Sequence, residues 1–339
     1  MCMTFKLPAA QDGTVVVGRS MEFPVGMPTQ LAVLPAGFSG GGSAGGGSAG
    51  DGTSSRGWTA VQGVVGMGVF GRADWLVDGI NQAGISAHLL YMPGGYCTYR
   101  SPRGDGGDLS QLELAAFLLG TCASVEEVKA AVAGVNIVGR DPGMGFVPPV
   151  HCLVHDTAGS VAIELHPDGT RVVDNPVGVA TNAPYLDWHL LNLGNYLGIS
   201  AENPPDETIG GLDLSPPGQG AGLRGIPADY SPTSRFVRLC AVLHLLDRAA
   251  DAATAERLAL HVCNAFDIPQ GLIKERMGTA LVPEVTVWDA VLNLSRPRYA
   301  YRMADNPETY VVDLATVDFS GPARLRDLRA VGSFTPVEV

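Results

Sequence analysis

The 339-residue chain lacks any uninterrupted apolar run of about 18 residues, so no helical membrane span is expected. It is short of positive charge. With 22 Lys and Arg against 34 Asp and Glu, the net charge is −12. Nucleic acid and anionic membranes need a basic face and are not expected partners. No GxGxxG or P-loop occurs, and the glycine-rich stretch at 39–55 carries no lysine to serve a phosphate. The six cysteines, at 2, 97, 122, 152, 240 and 263, form no CxxC or CxxH spacing. Five read as buried free thiols of a reducing compartment. His151 and His155 stand four apart on a strand-like segment without a nearby third ligand, so no metal is expected, and no cofactor either. The first residues show no charged segment followed by an apolar run, which predicts no signal peptide and a cytoplasmic location.

The 46% hydrophobic content supplies a large core. Met3–Leu7 and Thr14–Gly18 read as a hairpin turned at Asp12-Gly13, with a third strand at Gln30–Leu34. Residues 39–55 have almost nothing to bury and read as a flexible loop inside one domain spanning 1–339. Strands are expected at 58–65, 75–77 and 85–91, with a tight turn at 79–84. Helices are expected at 109–119, capped by Asp108, and from Ser124, where Ser124 and Glu127 fit a capping box. Strands at 150–154, 161–165 and 171–174 follow, then a helix at 187–196 and a Pro/Gly-rich loop at 203–229. Helices at 234–249 and 253–264 and strands at 284–293, 298–302 and 309–313 complete the order. Such segregated blocks predict an α+β fold with mainly antiparallel sheets rather than βαβ units.

Cys2 is the cysteine without an evident core to join. Removal of Met1 would place its thiol and a free α-amine on adjacent carbons. An α-amine titrates near ~8, so it can take the thiol's proton without a histidine. Arg19 and Glu22 close the second strand of the hairpin, where period-2 geometry can bring Arg19 beside the chain's start. A nearby guanidinium favours a thiolate, and Glu22 could accept a hydrogen bond from the amine. Read alone, Arg19 and Glu22 are simply a surface pair.

MC-x-T-F at the start, G-R-S-M-E-F at 18–23, D-G-I-N-Q-A-G-I at 78–85, A-T-N-A-P-Y-L-D-W-H at 180–189 and Y-S-P-T-S-R-F-V-R at 230–238 together resemble the choloylglycine hydrolase family. That family holds bile salt hydrolases and penicillin V acylases within the N-terminal nucleophile hydrolases. The resemblance implies a four-layer αββα sandwich. It implies Cys2 as nucleophile, Arg19 as the cation beside it and Glu22 as the carboxylate on the terminal amine. It also implies an oxyanion hole from the Asn81 backbone N–H and the Asn182 side chain, with Arg235 as second arginine. Read without it, Asn81 and Asn182 are turn residues.

Two departures stand out. Glu22 falls where the family usually has aspartate, and Met3 where threonine is common. Met21, Phe23, Phe70 and Phe146, with Met27 and Trp58, are candidates for an apolar acyl pocket with few charges around it. The expected partner is a small N-acyl amide, with penicillin V slightly preferred over conjugated bile acids. An N-acyl homoserine lactone acylase, or a non-hydrolytic acyl-binding or acyl-transfer descendant, are the alternatives. The resemblance further implies a homo-oligomer of the tetramer kind, with the 203–229 loop as the assembly element.

Overall fold

A computed structural model describes residues 1–24, 27–41, 55–277, 279–328 and 332; most of the 39–55 stretch lies outside them. Two antiparallel sheets stack face to face. The first runs in the order Val179–Ala180, Cys2–Lys6, Val16–Pro24, Ala280–Asn293, Arg298–Met303 and Tyr310–Asp313, with Ile273–Met277 paired to the long fourth strand. The second runs Gly169–Asp174, Ser160–His166, Val150–His155, Ser86–Tyr91, Arg72–Asn81, Val64–Val69, Thr29–Leu34 and Arg324–Arg326.

Helices α1 (Leu114–Thr121) and α2 (Val125–Ala133) cover the second sheet, and α1 packs on Arg72–Asn81. A short α3 (Leu186–Asn192) precedes α4 (Pro232–Leu245) and α5 (Ala252–Asn264), which lie over the first sheet. The result is the α+β, four-layer αββα sandwich expected from the motifs. Because the Cys2–Lys6 and Val16–Pro24 strands are covered on both faces, nearly every residue in them is buried. They therefore read as largely apolar runs interrupted by a few buried polar groups, Thr4, Arg19, Ser20 and Glu22 among them.

The starts of α2, α4 and α5 follow side-chain capping. Ser124 accepts from the Glu127 N–H, Ser231 from Ser234 and Asp251 from Thr254. One helix start lies well away from expectation, and α4 ends at Leu245 rather than 249. Asp108 caps nothing; its carboxylate takes the N–H groups of Arg103 and Gly104 and the Asn136 amide, and Asp108–Ser110 is a strand parallel to Asn136–Val138. The helix starts only at Leu114. The apolar residues around Leu109 fit either period, and the Asp108 loop contacts select the extended form. The strand expected at 58–65 is likewise split. Val61 and Gln62 turn aside to donate to the Gly120 carbonyl, leaving Trp58–Thr59 and Val64–Val69.

Candidate active site

The Cys2–Lys6 strand ends beside the inter-sheet space, and its pairing decides where each atom of Cys2 points. Met1 and Glu22 exchange both backbone hydrogen bonds, at 2.9 and 3.0 Å. Cys2 therefore faces Met21 in a non-bonded pair, and its own N–H and C=O turn away from that neighbour. Both are taken by side chains. The Cys2 N–H donates to Asn182 Oδ1 at 3.1 Å, and Arg235 Nη1 donates to the Cys2 carbonyl at 2.8 Å. Arg235 Nη2 reaches the same Asn182 oxygen at 2.6 Å. Two donors converging on Oδ1 fix which end of that amide is oxygen, so Nδ2 faces the Tyr91 carbonyl, at 2.6 Å.

Asn182 follows the Val179–Ala180 strand, whose pairing with Cys2–Lys6 brings Thr4 opposite Ala180 and carries Asn182 to Cys2. His189 on α3 contacts the Asn182 carbonyl at 3.0 Å, and His151 the Thr181 carbonyl at 3.1 Å. Arg235 is placed by the first turn of α4, where Tyr230 accepts from its Nε at 3.0 Å.

The thiol lies on the inter-sheet face. Cys2 Sγ is 3.5 Å from Met21 Sδ, and Arg19 Nη2 is 3.2 Å from the same sulfur. Arg19 is fully buried, donating also to the carbonyls of Ser20 and Leu89. Burial works against its charge, but the Cys2 thiol and the Asp78 carboxylate outweigh that and raise its pKa. Asp78 Oδ2 lies 3.6 Å from Arg19 Nε, and Asp78 also accepts from Tyr299 at 2.5 Å and Trp288 at 3.2 Å.

The candidate residues divide accordingly. Cys2, Arg19, Met21, Asn182 and Arg235 converge. Glu22 is adjacent and buried, but its carboxylate does not hold the Cys2 nitrogen, which Asn182 takes. Its side chain, two residues from Ser20, leaves the sheet on the face opposite Met21. Burial raises its pKa and the charge of Arg235 opposes the rise, while Oε2 has no hydrogen-bond partner among the described residues. The Met1 amine meets the Glu22 backbone carbonyl and, at 2.8 Å, the Glu284 carboxylate instead.

Asn81 has no donor to spare. Its backbone N–H goes to the Ile85 carbonyl at 3.1 Å, and its Nδ2 bonds the carbonyls of Leu119 and Cys122. Its Oδ1 accepts from Ala83 and Ile85, so Asn81 closes a turn and ties it to the end of α1. That corrects its assignment as an oxyanion donor.

A cavity of about 380 Å³ is lined by Phe23, Pro24, Tyr91, Met144, Phe146, Glu275, Arg276 and Glu284. Phe23 and Phe146 are thus placed together as expected. Phe70 is not among them; it packs edge-on against Trp75, beside Val69 and Leu112. Trp58 lies in the outer core against Phe38 and Phe117. The lining is also more charged than expected, and burial together with Glu284 raises the Glu275 pKa. A larger cavity, about 720 Å³, opens at the Lys6 end of the first strand, away from the thiol. Sequence reasoning missed Tyr91, Glu284 and Asp78. Only Asp78 left a trace, as an acid inside the apolar run Leu76-Val77-Asp78-Gly79-Ile80.

Among the described residues no helix is long and apolar enough to cross a membrane, and no group of side chains could hold a metal ion. A profile of linear amide C–N hydrolases, choloylglycine hydrolase family, matches residues 3–327. A bile salt hydrolase/transferase of Lactiplantibacillus plantarum is 31% identical over 239 residues, covering 70% of this chain and 72% of that protein. A penicillin V acylase of Pectobacterium atrosepticum is 24% identical, covering 95% of this chain and 86% of that one. The crystal structure of a mutant conjugated bile acid hydrolase from Clostridium perfringens superposes with a TM-score of 0.86 at 24% identity, each chain fully covered. This chain is therefore an enzyme of linear amide C–N hydrolysis, and it belongs to the choloylglycine hydrolase family.

Proposed function

We propose that this enzyme hydrolyses an N-acyl amide with an aromatic acyl group, of the penicillin V kind, through an acyl thioester on Cys2. The observation carrying this reading is the Cys2 peptide unit, held by Asn182 and Arg235, with its thiol and the Arg19 guanidinium meeting at the Met21 sulfur. Removal of Met1 turns the Cys2 N–H into an α-amine that keeps Asn182 Oδ1 as acceptor. The sulfur attacks the amide carbon, forming the S–C bond, and the thiol proton passes to the α-amine. The carbonyl oxygen becomes an oxyanion. Collapse breaks the C–N bond, and the leaving amine takes the proton from the α-ammonium. Water then cleaves the thioester to release the acid.

Two donors face that oxyanion. Asn182 Nδ2 has two hydrogens and gives one to the Tyr91 carbonyl. The second donor is the Tyr91 backbone N–H. Met92 donates to Pro149 at 2.8 Å, so alternation turns the Tyr91 N–H and C=O to the opposite edge, where Asn182 sits. Pairing with Arg72–Asn81 stops at His88, well before Tyr91. Arg19 acts as the cation at the thiol, and Glu22 acts through Arg235 rather than on the amine. Met21, Phe23 and Phe146 contact the acyl group.

The cavity's aromatic lining and its volume, near the lower end of the ~300–1,000 Å³ usual for ligand sites, favour a compact aryl-acyl group over a steroid. The relatives named for bile salts and for penicillin V make both substrates the first to try. A panel of penicillin V, glycocholate, taurocholate and acyl homoserine lactones, read by amine release, tests this. Penicillin V turned over fastest supports it; preference for either cholate, or for a lactone, overturns it.

The proposal extends to assembly and location. The Glu207–Ile209 and Leu212–Leu214 hairpin exposes Ile209, Leu212 and Leu214, which supports self-association as a homotetramer built on a chain that is a single domain. Six free cysteines support a cytoplasmic setting. Light scattering of the purified protein reads the first directly.

A further inference from the structure

The Arg19 guanidinium does not stand alone between the sheets. Its Nε faces Asp78 Oδ2 at 3.6 Å, the two side chains being wholly buried. Asp78 comes from the opposite sheet and is itself held by two donors of the first sheet, the Tyr299 hydroxyl at 2.5 Å and the Trp288 indole at 3.2 Å. The Ala280–Asn293 strand carrying Trp288 is the neighbour of the strand carrying Arg19, and Tyr299 is on the next strand out. Four side chains thus join the two sheets in one buried polar network that ends at the thiol.

We propose that Asp78 is a positioning residue for the nucleophile: it holds the Arg19 guanidinium against Cys2 and tempers the charge that Arg19 presents to the thiol. Other charged and titratable groups surround this centre. Glu22 and Arg235 lie toward the helical layer, Glu284 at the start of the strand, and His88 on Ser86–Tyr91. Among these, Asp78 is the carboxylate in an ion pair with Arg19. A buried guanidinium so close to a thiol with no counter-charge would favour a thiolate strongly, but a less basic thiolate is a poorer nucleophile. Asp78 sets the balance: burial raises its pKa, and Arg19 first, then the Tyr299 and Trp288 hydrogen bonds, oppose that rise.

The inference rests on Cys2 being the nucleophile, so the test reads the thiol without needing turnover. Alkylation of Cys2 by iodoacetamide is followed by peptide mass spectrometry across pH, in wild type and in Asp78→Asn. The variant keeps the shape and removes the charge. Its alkylation midpoint should move to lower pH by about one unit, and kcat should fall several-fold with KM within about twofold. If Asp78→Asn does not fold, Tyr299→Phe serves. It strips one donor from a carboxyl already pushed up by burial, which favours the protonated form and moves the midpoint the same way by less. A midpoint unchanged or moved to higher pH in a folded variant overturns the inference. Wild-type Cys2 that resists alkylation in active enzyme overturns the nucleophile assignment instead.

Discussion

Replacing Asn182 with alanine removes three hydrogen bonds at once: from the Cys2 N–H, from Arg235 Nη2 and to the Tyr91 carbonyl. Two consequences can be sized separately. The oxyanion loses one pre-aimed donor, a change that costs about 100–1,000-fold in kcat. The fold is left with the buried Arg235 guanidinium, the Tyr91 carbonyl and the Cys2 nitrogen each short of a partner. Each unmatched buried group costs about 1–3 kcal/mol, and Arg235 keeps the Cys2 and Tyr230 carbonyls as partners, so the lower end applies, about 3–5 kcal/mol for the three. For a chain of this size about 2 °C of Tm follows each kcal/mol, or a fall of about 6–10 °C. Steady-state hydrolysis of the best substrate of the panel, with Tm by calorimetry, reads both. KM should change little, because the donor acts on the transition state. A folded variant whose kcat stays within tenfold of wild type would refute the role given to Asn182.

Asn81→Ala should do the reverse, lowering Tm by several degrees through its lost turn and α1 contacts while kcat per folded molecule stays within a few-fold; a 100-fold loss of kcat in folded protein would restore it to the oxyanion hole. Gly84→Ala should destabilise markedly, since φ is +84° and an added Cβ would meet the Leu294 carbonyl oxygen at 2.2 Å; an unchanged denaturation midpoint would contradict this. His155, buried against Thr4 and Ser160, has its pKa lowered from 6.5 to about 3 by burial. Above pH 6.5 both folded and unfolded states hold it neutral; below that only the unfolded state gains a proton. The stability advantage of wild type over His155→Gln should therefore be full above pH 6.5 and shrink toward pH 3, by about 1.4 kcal/mol per unit. Urea titrations at pH 7.5, 6 and 5 that give a constant difference would contradict it.

What the sequence disclosed and what it hid follow physical lines. The hairpin at Cys2 declared itself by its Asp12-Gly13 turn pair, and the start of α2 by its Ser124 cap. Arg19, Asn182 and Arg235 were legible because they sit in the ordered motifs that carry the family resemblance. Tyr91 and Glu284 lie outside those motifs and arrive by strand pairing; Asp78 opens the 78–85 motif, but its reach across the sheets to Arg19 leaves no mark in the sequence. Asn81 was misread for the same reason. A residue in the right motif faced the end of α1 instead of the thiol, and only the turn's hydrogen bonds reveal it. The Glu22 question was local but needed the face of the strand: its carboxylate leaves the sheet opposite Met21, toward Arg235.

The central claim is that Cys2, freed of Met1, carries the acyl group. Active enzyme is mixed briefly with penicillin V, quenched in acid and measured by intact mass, then by peptide mapping of the N-terminus. The account predicts a chain lighter by one methionine residue that gains a phenoxyacetyl group on Cys2. Turnover by a chain that keeps Met1, or an acyl group found on any other residue, would contradict it.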